Sequence, residues 1–163
     1  MKALVVYSSQ TGNTRKLAQA AYDCLTFEKE IHPLKDAPDP RGFGLVVTGF
    51  WLKAGKPDPE SMEYLKRIEQ ADVFLMATHG AAADSDHARK ALDFAKSLVA
   101  SGRIRGTFNC PGEVDPAHLA KARAKDPQPP WIKDAPGAVG RPDEGDLQAL
   151  KTALKTAVGV AAG

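Results

Sequence analysis

Cysteine is scarce. The 163-residue chain has only Cys24 and Cys110, too far apart and too unlike in context for a disulfide framework or a CxxC redox pair, so both are expected as reduced, partly buried thiols. Aromatic residues make up 7% of the chain. The lysines and arginines are spread along the chain rather than gathered in a stripe interleaved with aromatics, which argues against nucleic-acid binding. No run approaches the roughly 20 apolar residues of a membrane span. The apolar run at residues 3–7 is too short for a signal h-region, so a cytoplasmic protein outside the membrane is expected. His32, His79, His87 and His118 show no HExxH or similar grouping, and no metal site is expected. Neither a Ser-His-Asp order nor paired carboxylates stand out, so no catalytic side chain is assigned.

Two phosphate-binding signatures are also missing. A Walker loop ends in Gly-Lys-Ser/Thr and a dinucleotide fingerprint carries three spaced glycines; residues 8–14 have one glycine and no lysine. What the chain does have is 43% hydrophobic and 26% charged residues with a formal net charge of +2. That composition suits one soluble α/β domain over residues 1–163, with no room for a separate nicotinamide domain.

The most informative stretch is Tyr7-Ser8-Ser9-Gln10-Thr11-Gly12-Asn13-Thr14, between the apolar run Ala3-Leu4-Val5-Val6 and a helical pattern. A helix N-terminus leaves about four backbone N–H groups unpaired and carries roughly half a positive charge, so it attracts anions. Hydroxyls of Ser8, Ser9, Thr11 and Thr14 can add hydrogen bonds, and Gly12 allows close backbone approach or positive φ. The stretch reads as a cradle for a mononucleotide phosphate monoester. It resembles the FMN phosphate loop of flavodoxins, a hydroxyl residue followed by x-Thr-Gly-Asn-Thr.

The resemblance implies a doubly wound, three-layer α/β domain with a five-stranded parallel sheet in the order 2-1-3-4-5. In such a sheet the ligand lies beyond the carboxyl ends of the strands where strand order reverses, a rule for which flavodoxin is a standard case. The chain pattern agrees. A first helix is expected over residues 12–25, an edge strand over 27–34, a buried strand over 44–49 and a loop over 49–58. Asp58 and Pro59 open a second helix with Met62, Leu65 and Ile68 inside; a strand over 73–77 and a loop over 78–84 follow. Ser85 or Asp84 caps a helix that runs to Gly102, residues 103–110 form the other edge strand, and the last helix starts at Asp143. Residues 36–42 are too few for a parallel crossover, so a short or irregular helix is expected near them. Residues 117–125 suggest a short basic helix. Residues 126–142, with five prolines, form a loop longer than a compact domain usually tolerates without a role.

Three loops should meet at the ligand. The resemblance places Trp51, after Gly49 and Phe50, against the flavin ring, with a backbone carbonyl at Gly49 or within residues 51–55 bonded to N5–H of the reduced ring. Stacking on an indole contributes on the order of 1 kcal/mol beyond burial; Phe50 is more readily explained as loop packing. In the third loop, Thr78, His79 and Gly80, the family commonly carries a tyrosine over the outer face of the ring. Here His79 stacks in its place, bonds only the backbone, or leaves the face open, and Gly80 offers its N–H to the pyrimidine edge. Lys53 and Lys56 bear on the potential. An ammonium roughly 8 Å from the ring at an effective dielectric near 40 favours the anionic hydroquinone by about 1 kcal/mol, some 40 mV.

The function implied is electron transfer through a bound FMN cycling between oxidised, semiquinone and hydroquinone states. The partners would be redox proteins, a reductase or an electron acceptor, met by a monomer. Familiar flavodoxins are strongly acidic, and this chain's charge points to a different or less electrostatically selected partner. The alternative is a small FMN-dependent NAD(P)H oxidoreductase acting on a quinone- or tetrapyrrole-like acceptor.

Overall fold

The structure is a computed structural model that describes residues 1–159; residues 160–163 of the expected 1–163 domain lie outside the described residues. β1, Ala3–Tyr7, sends alternate side chains to opposite faces. Ala3 and Val5 join a buried cluster with Leu17 and Leu150, while Leu4 and Val6 join another with Leu65 and Ile68. A strand covered on both faces requires such an unbroken apolar run. α1, Asn13–Cys24, buries Thr14, Leu17, Ala18 and Ala21 at helical spacing. β2, Lys29–Pro33, is half-buried along its length and forms the sheet edge beside β1.

No α-helix joins β2 to the next strand; the short or irregular helix expected near residues 36–42 is a 3-10 turn. A single 3-10 turn, Leu34–Asp36, starts the crossing, and Leu34, Ala37 and Phe43 pack on the core. The 11 residues from 34 to 44 span up to about 36 Å when extended. Returning along one strand and passing over a neighbour needs only about 27 Å. An extended strap is sufficient.

β3, Leu45–Lys53, continues well past the expected end at residue 49, and β4, Lys56–Pro57, folds back against it. The intervening Ala54 and Gly55 both have positive φ, 51° and 75°, as a tight two-residue hairpin demands. α2, Pro59–Leu65, is capped by Asp58, whose Oδ1 accepts the Ser61 N–H at 3.2 Å. β5, Asp72–His79, is buried from Val73 onward. Ser85, rather than Asp84, caps α3, Asp86–Leu98. That helix stops before Gly102. Gly102 is instead required by packing, since a Cβ there would lie 2.8 Å from Val73 Cγ2. β6, Arg103–Pro111, is the far edge, followed by α4, Pro116–Arg123, a 3-10 segment, Ile132–Ala138, and α5, Glu144–Val158.

Five parallel strands lie in the order β2-β1-β3-β5-β6, with β4 paired only to β3. Leaving β4 out of the numbering, this is the expected order 2-1-3-4-5. α1 and α5 cover one face through Leu17, Ala21, Leu150 and Leu154; α2 and α3 cover the other through Leu65, Ile68, Leu92 and Ala95. Each fully buried Leu, Ile or Phe contributes roughly 1.5–3 kcal/mol. No described helix is long and apolar enough to cross a membrane.

α5 is fastened at its start by a reciprocal cap between Asp143 and Asp146. Asp146 is buried and also accepts Arg141 Nε at 2.9 Å. Burial alone would raise its pKa, but the Arg141 guanidinium and the Asp143 N–H outweigh that and hold it below the usual aspartate value. A carboxylate with a lowered folded pKa adds stability above its unfolded pKa and loses it as the pH falls. Asp146→Ala should therefore cost about 2–3 kcal/mol in urea unfolding at pH 7. The gap between wild type and Asp146→Asn should close as the pH falls below 3.8, the ordinary aspartate value.

Candidate functional site

The chain leaves β1 at Ser8, whose N–H is held by the Gly49 carbonyl at 3.0 Å. Ser9 Oγ accepts the Gly12 N–H at 3.1 Å, closing the turn on itself. Gly12 then enters α1 with φ 91°, a conformation with no penalty only for glycine. Among the described residues no side chain caps α1 and no acid stands in its first turn. Its first N–H groups are thus left for an external anion. Thr14 differs from the expectation of a ligand-facing hydroxyl. It is 1% exposed and its Oγ1 lies 2.9 Å from Thr78 Oγ1, so it joins the first loop to the third.

The second segment, expected as a loop over residues 49–58, is the outer half of β3 and its hairpin with β4. Strand alternation separates the two aromatics placed there. Phe50 is fully buried in the cluster under α2 and α3 and does not reach the site, whereas Trp51 faces it and donates Nε1–H to Ser8 Oγ at 3.3 Å. A Cβ at Gly49 would lie 2.9 Å from Met76 Cε and 3.0 Å from Thr14 Cγ2, so the residue permits close packing behind the site. Lys53 lines the site; Lys56 sits over the Phe94 ring at 4.9 Å instead.

The third segment begins inside β5. Thr78 and His79 are strand residues, and His79 Nε2 lies 2.8 Å from Asn109 Oδ1, a side-chain partner for the ring. Its Nδ1 has no hydrogen-bond partner among the described residues. Burial lowers the His79 pKa more than Asn109 raises it, so the ring is neutral at pH 7. Cys110 is also removed from the chemistry. It is buried, and burial pushes its thiol up to about 12.

A fourth wall comes from the segment after the last strand. After β6, Gly112 N–H bonds the His79 carbonyl at 2.8 Å, and Asn13 Nδ2 donates to the Glu113 carbonyl at 3.0 Å. A Cβ at Gly112 would meet Asn13 Nδ2 at 2.7 Å, so only glycine allows this approach. Asp115 caps α4. Further on, Asp134 Oδ2 accepts the Ala82 N–H at 3.1 Å, and Trp131 stacks with His118 at 5.9 Å between centroids and 7° between planes. Trp131, His118 and His87 were not singled out from the sequence. The available signal was an indole inside a proline-rich segment too long to be a mere connection.

These walls enclose one cavity of about 600 Å³. Of the residues expected at the site, Ser9, Gln10, Thr11, Asn13, Thr14, Trp51, Thr78, His79 and Gly80 line it. Ser8 and Gly12 shape the loop behind that lining, while Gly49 and Phe50 pack beneath it. Among the described residues no group of three or more His, Cys, Asp or Glu is arranged to hold a metal ion.

A parallel sheet whose order reverses at β1 and β3, with an uncapped helix after β1 facing a crevice there, defines the class of doubly wound α/β proteins. The chain belongs to the flavodoxin domain family, whose model matches residues 4–155. It is 31% identical over 131 residues to the flavodoxin-like domain-containing protein BilS of Clostridioides difficile, covering 77% of this chain and 73% of that protein. BilS of Clostridium symbiosum is 29% identical over 142 residues, covering 76% and 75%. Among solved structures, oxidised flavodoxin 1 from Bacillus cereus matches with a TM-score of 0.65 at 10% identity, over 99% of this chain and 100% of that one. A flavoprotein from Lactobacillus acidophilus, solved in complex with FMN, matches with a TM-score of 0.53 at 15% identity, over 74% and 97%.

His79 generates a pH prediction. A histidine whose folded pKa is lowered favours the folded state above its unfolded pKa, and that contribution is lost as the pH falls below 6.5, its ordinary value. Chemical unfolding of wild type between pH 7 and 5 should show this loss, and His79→Gln should show a flatter profile.

Proposed function

We propose that the chain binds FMN and carries electrons through it between redox partner proteins. The observation that supports this best is the uncapped N-terminus of α1 behind a lysine-free, hydroxyl-rich loop, opening on a cavity that Trp51 lines. The cavity volume of about 600 Å³ lies in the range of roughly 300–1,000 Å³ typical of small-molecule sites. In this reading the first N–H groups of α1, with the hydroxyls of Ser9 and Thr11, hold the phosphate. Trp51 packs on the ring with its indole fixed by Ser8, and the backbone at Gly80 meets the polar ring edge. Bound FMN supplies one- and two-electron redox chemistry. The protein's part is to bind, orient and shield it.

A second reading has its own support. The walls added by residues 112–131 make the site deeper than three loops alone would, leaving space for an acceptor beside the ring, as a small NAD(P)H oxidoreductase requires. Steady NAD(P)H consumption by the purified, FMN-loaded protein alone would favour it.

Stepwise anaerobic reduction of the FMN-loaded protein is the primary test. A long-wavelength absorbance band that rises and then falls is expected for a one-electron carrier. A direct passage from oxidised to fully reduced spectra would favour the enzyme, and failure to take up FMN would remove both readings. Lys53, but not Lys56, lines the cavity. Lys53→Gln should make the lower potential more negative by about 40 mV at low ionic strength, whereas Lys56→Gln should leave it unchanged.

A further inference from the structure

The third loop carries no aromatic side chain: residues 80–83 are one glycine and three alanines. His79 does not fill the gap, because it is 8% exposed and engaged with Asn109. An indole nevertheless lies on this loop. A Cβ at Gly80 would stand 2.9 Å from Trp131 Cε3 and 3.3 Å from Cζ3, so the six-membered edge of Trp131 rests against the Gly80 backbone. Trp131 is half-buried and lines the same cavity as Trp51.

Its position is held from two sides. His118 stacks nearly parallel to it. The segment that follows Trp131 is clamped to the third loop by the bond from Ala82 N–H to Asp134 Oδ2. An indole fixed against backbone, stacked on one ring and facing a cavity is a preformed wall for a flat ligand, because little side-chain entropy remains to be lost on binding.

We propose that Trp131 is the aromatic residue that packs against the flavin ring on the side the third loop leaves bare. The side chain comes from the segment after the last strand, not from the loop itself. Gly80 and the small residues after it then follow from the packing, since a larger residue at position 80 would occupy the space of the indole. The proposal rests on the FMN reading above, and its test separates the two.

An indole against the ring quenches flavin emission, whereas phenylalanine does not. Four proteins are compared after FMN titration: wild type, Trp51→Phe, Trp131→Phe and the double variant. Wild type should bind FMN and quench it. Trp51→Phe should stay dark because Trp131 remains, and only the double variant should recover emission. Trp131→Ala should raise the FMN dissociation constant about ten-fold, with the apo-protein melting curve as a folding control. If Trp131→Ala does not fold, Trp131→Leu serves in its place, keeping apolar bulk while removing the indole and weakening FMN binding in the same direction. Emission from Trp51→Phe as bright as from the double variant would overturn the proposal, as would unchanged affinity in a folded Trp131→Ala. Wild type that takes up no FMN would overturn the flavin reading itself, and the role of Trp131 with it.

Discussion

The reversal of strand order between β1 and β3 is the constraint on which the rest of the molecule depends. Right-handed crossovers send the chain after β1 to one face of the sheet and the chain after β3 to the other. Their first residues therefore part company above the strand ends, and no side chain has to be removed to make the crevice. The two clusters under the helices hold these strand ends rigidly, because β1 and β3 are buried on both faces over most of their length.

Within that crevice the sequence leaves the main chain of α1 unsatisfied, whereas α2, α3, α4 and α5 all receive a side-chain cap. A missing cap forgoes about 1 kcal/mol of helix stability. Ser9 stands where its hydroxyl closes the loop, through Gly12 N–H, instead of capping the helix. The donors of that first turn are thus left without a side-chain partner.

Much of this was legible from residue order. The loop at residues 8–14, the apolar strands and the Asp58-Pro59 helix start each depend on neighbours along the chain, and local rules describe such features well. Phe50 and Trp51 were harder, because adjacent positions share a loop in sequence but point to opposite faces once β3 extends through them. That extension needs a β-hairpin partner, and the two-residue β4 is too short to announce itself. The crossing between β2 and β3 could be placed but not described, because beyond its 3-10 turn an extended strap covers the distance with few residues. Trp131 was invisible as a site residue for a third reason: Gly80, against which it rests, lies some fifty positions earlier, and nothing local encodes their meeting.

The segment after β6 is joined to the rest of the site largely through main-chain atoms: Gly112 N–H to the His79 carbonyl, the Glu113 carbonyl to Asn13, and Ala82 N–H to Asp134. Of the side chains in those ties, only Asn13 and Asp134 are committed. The exposed residues between the anchoring points, such as Lys121 and Arg123 on α4, take no part in these ties. Substitutions along that outer face should leave the ties, and with them the wall of the cavity, in place.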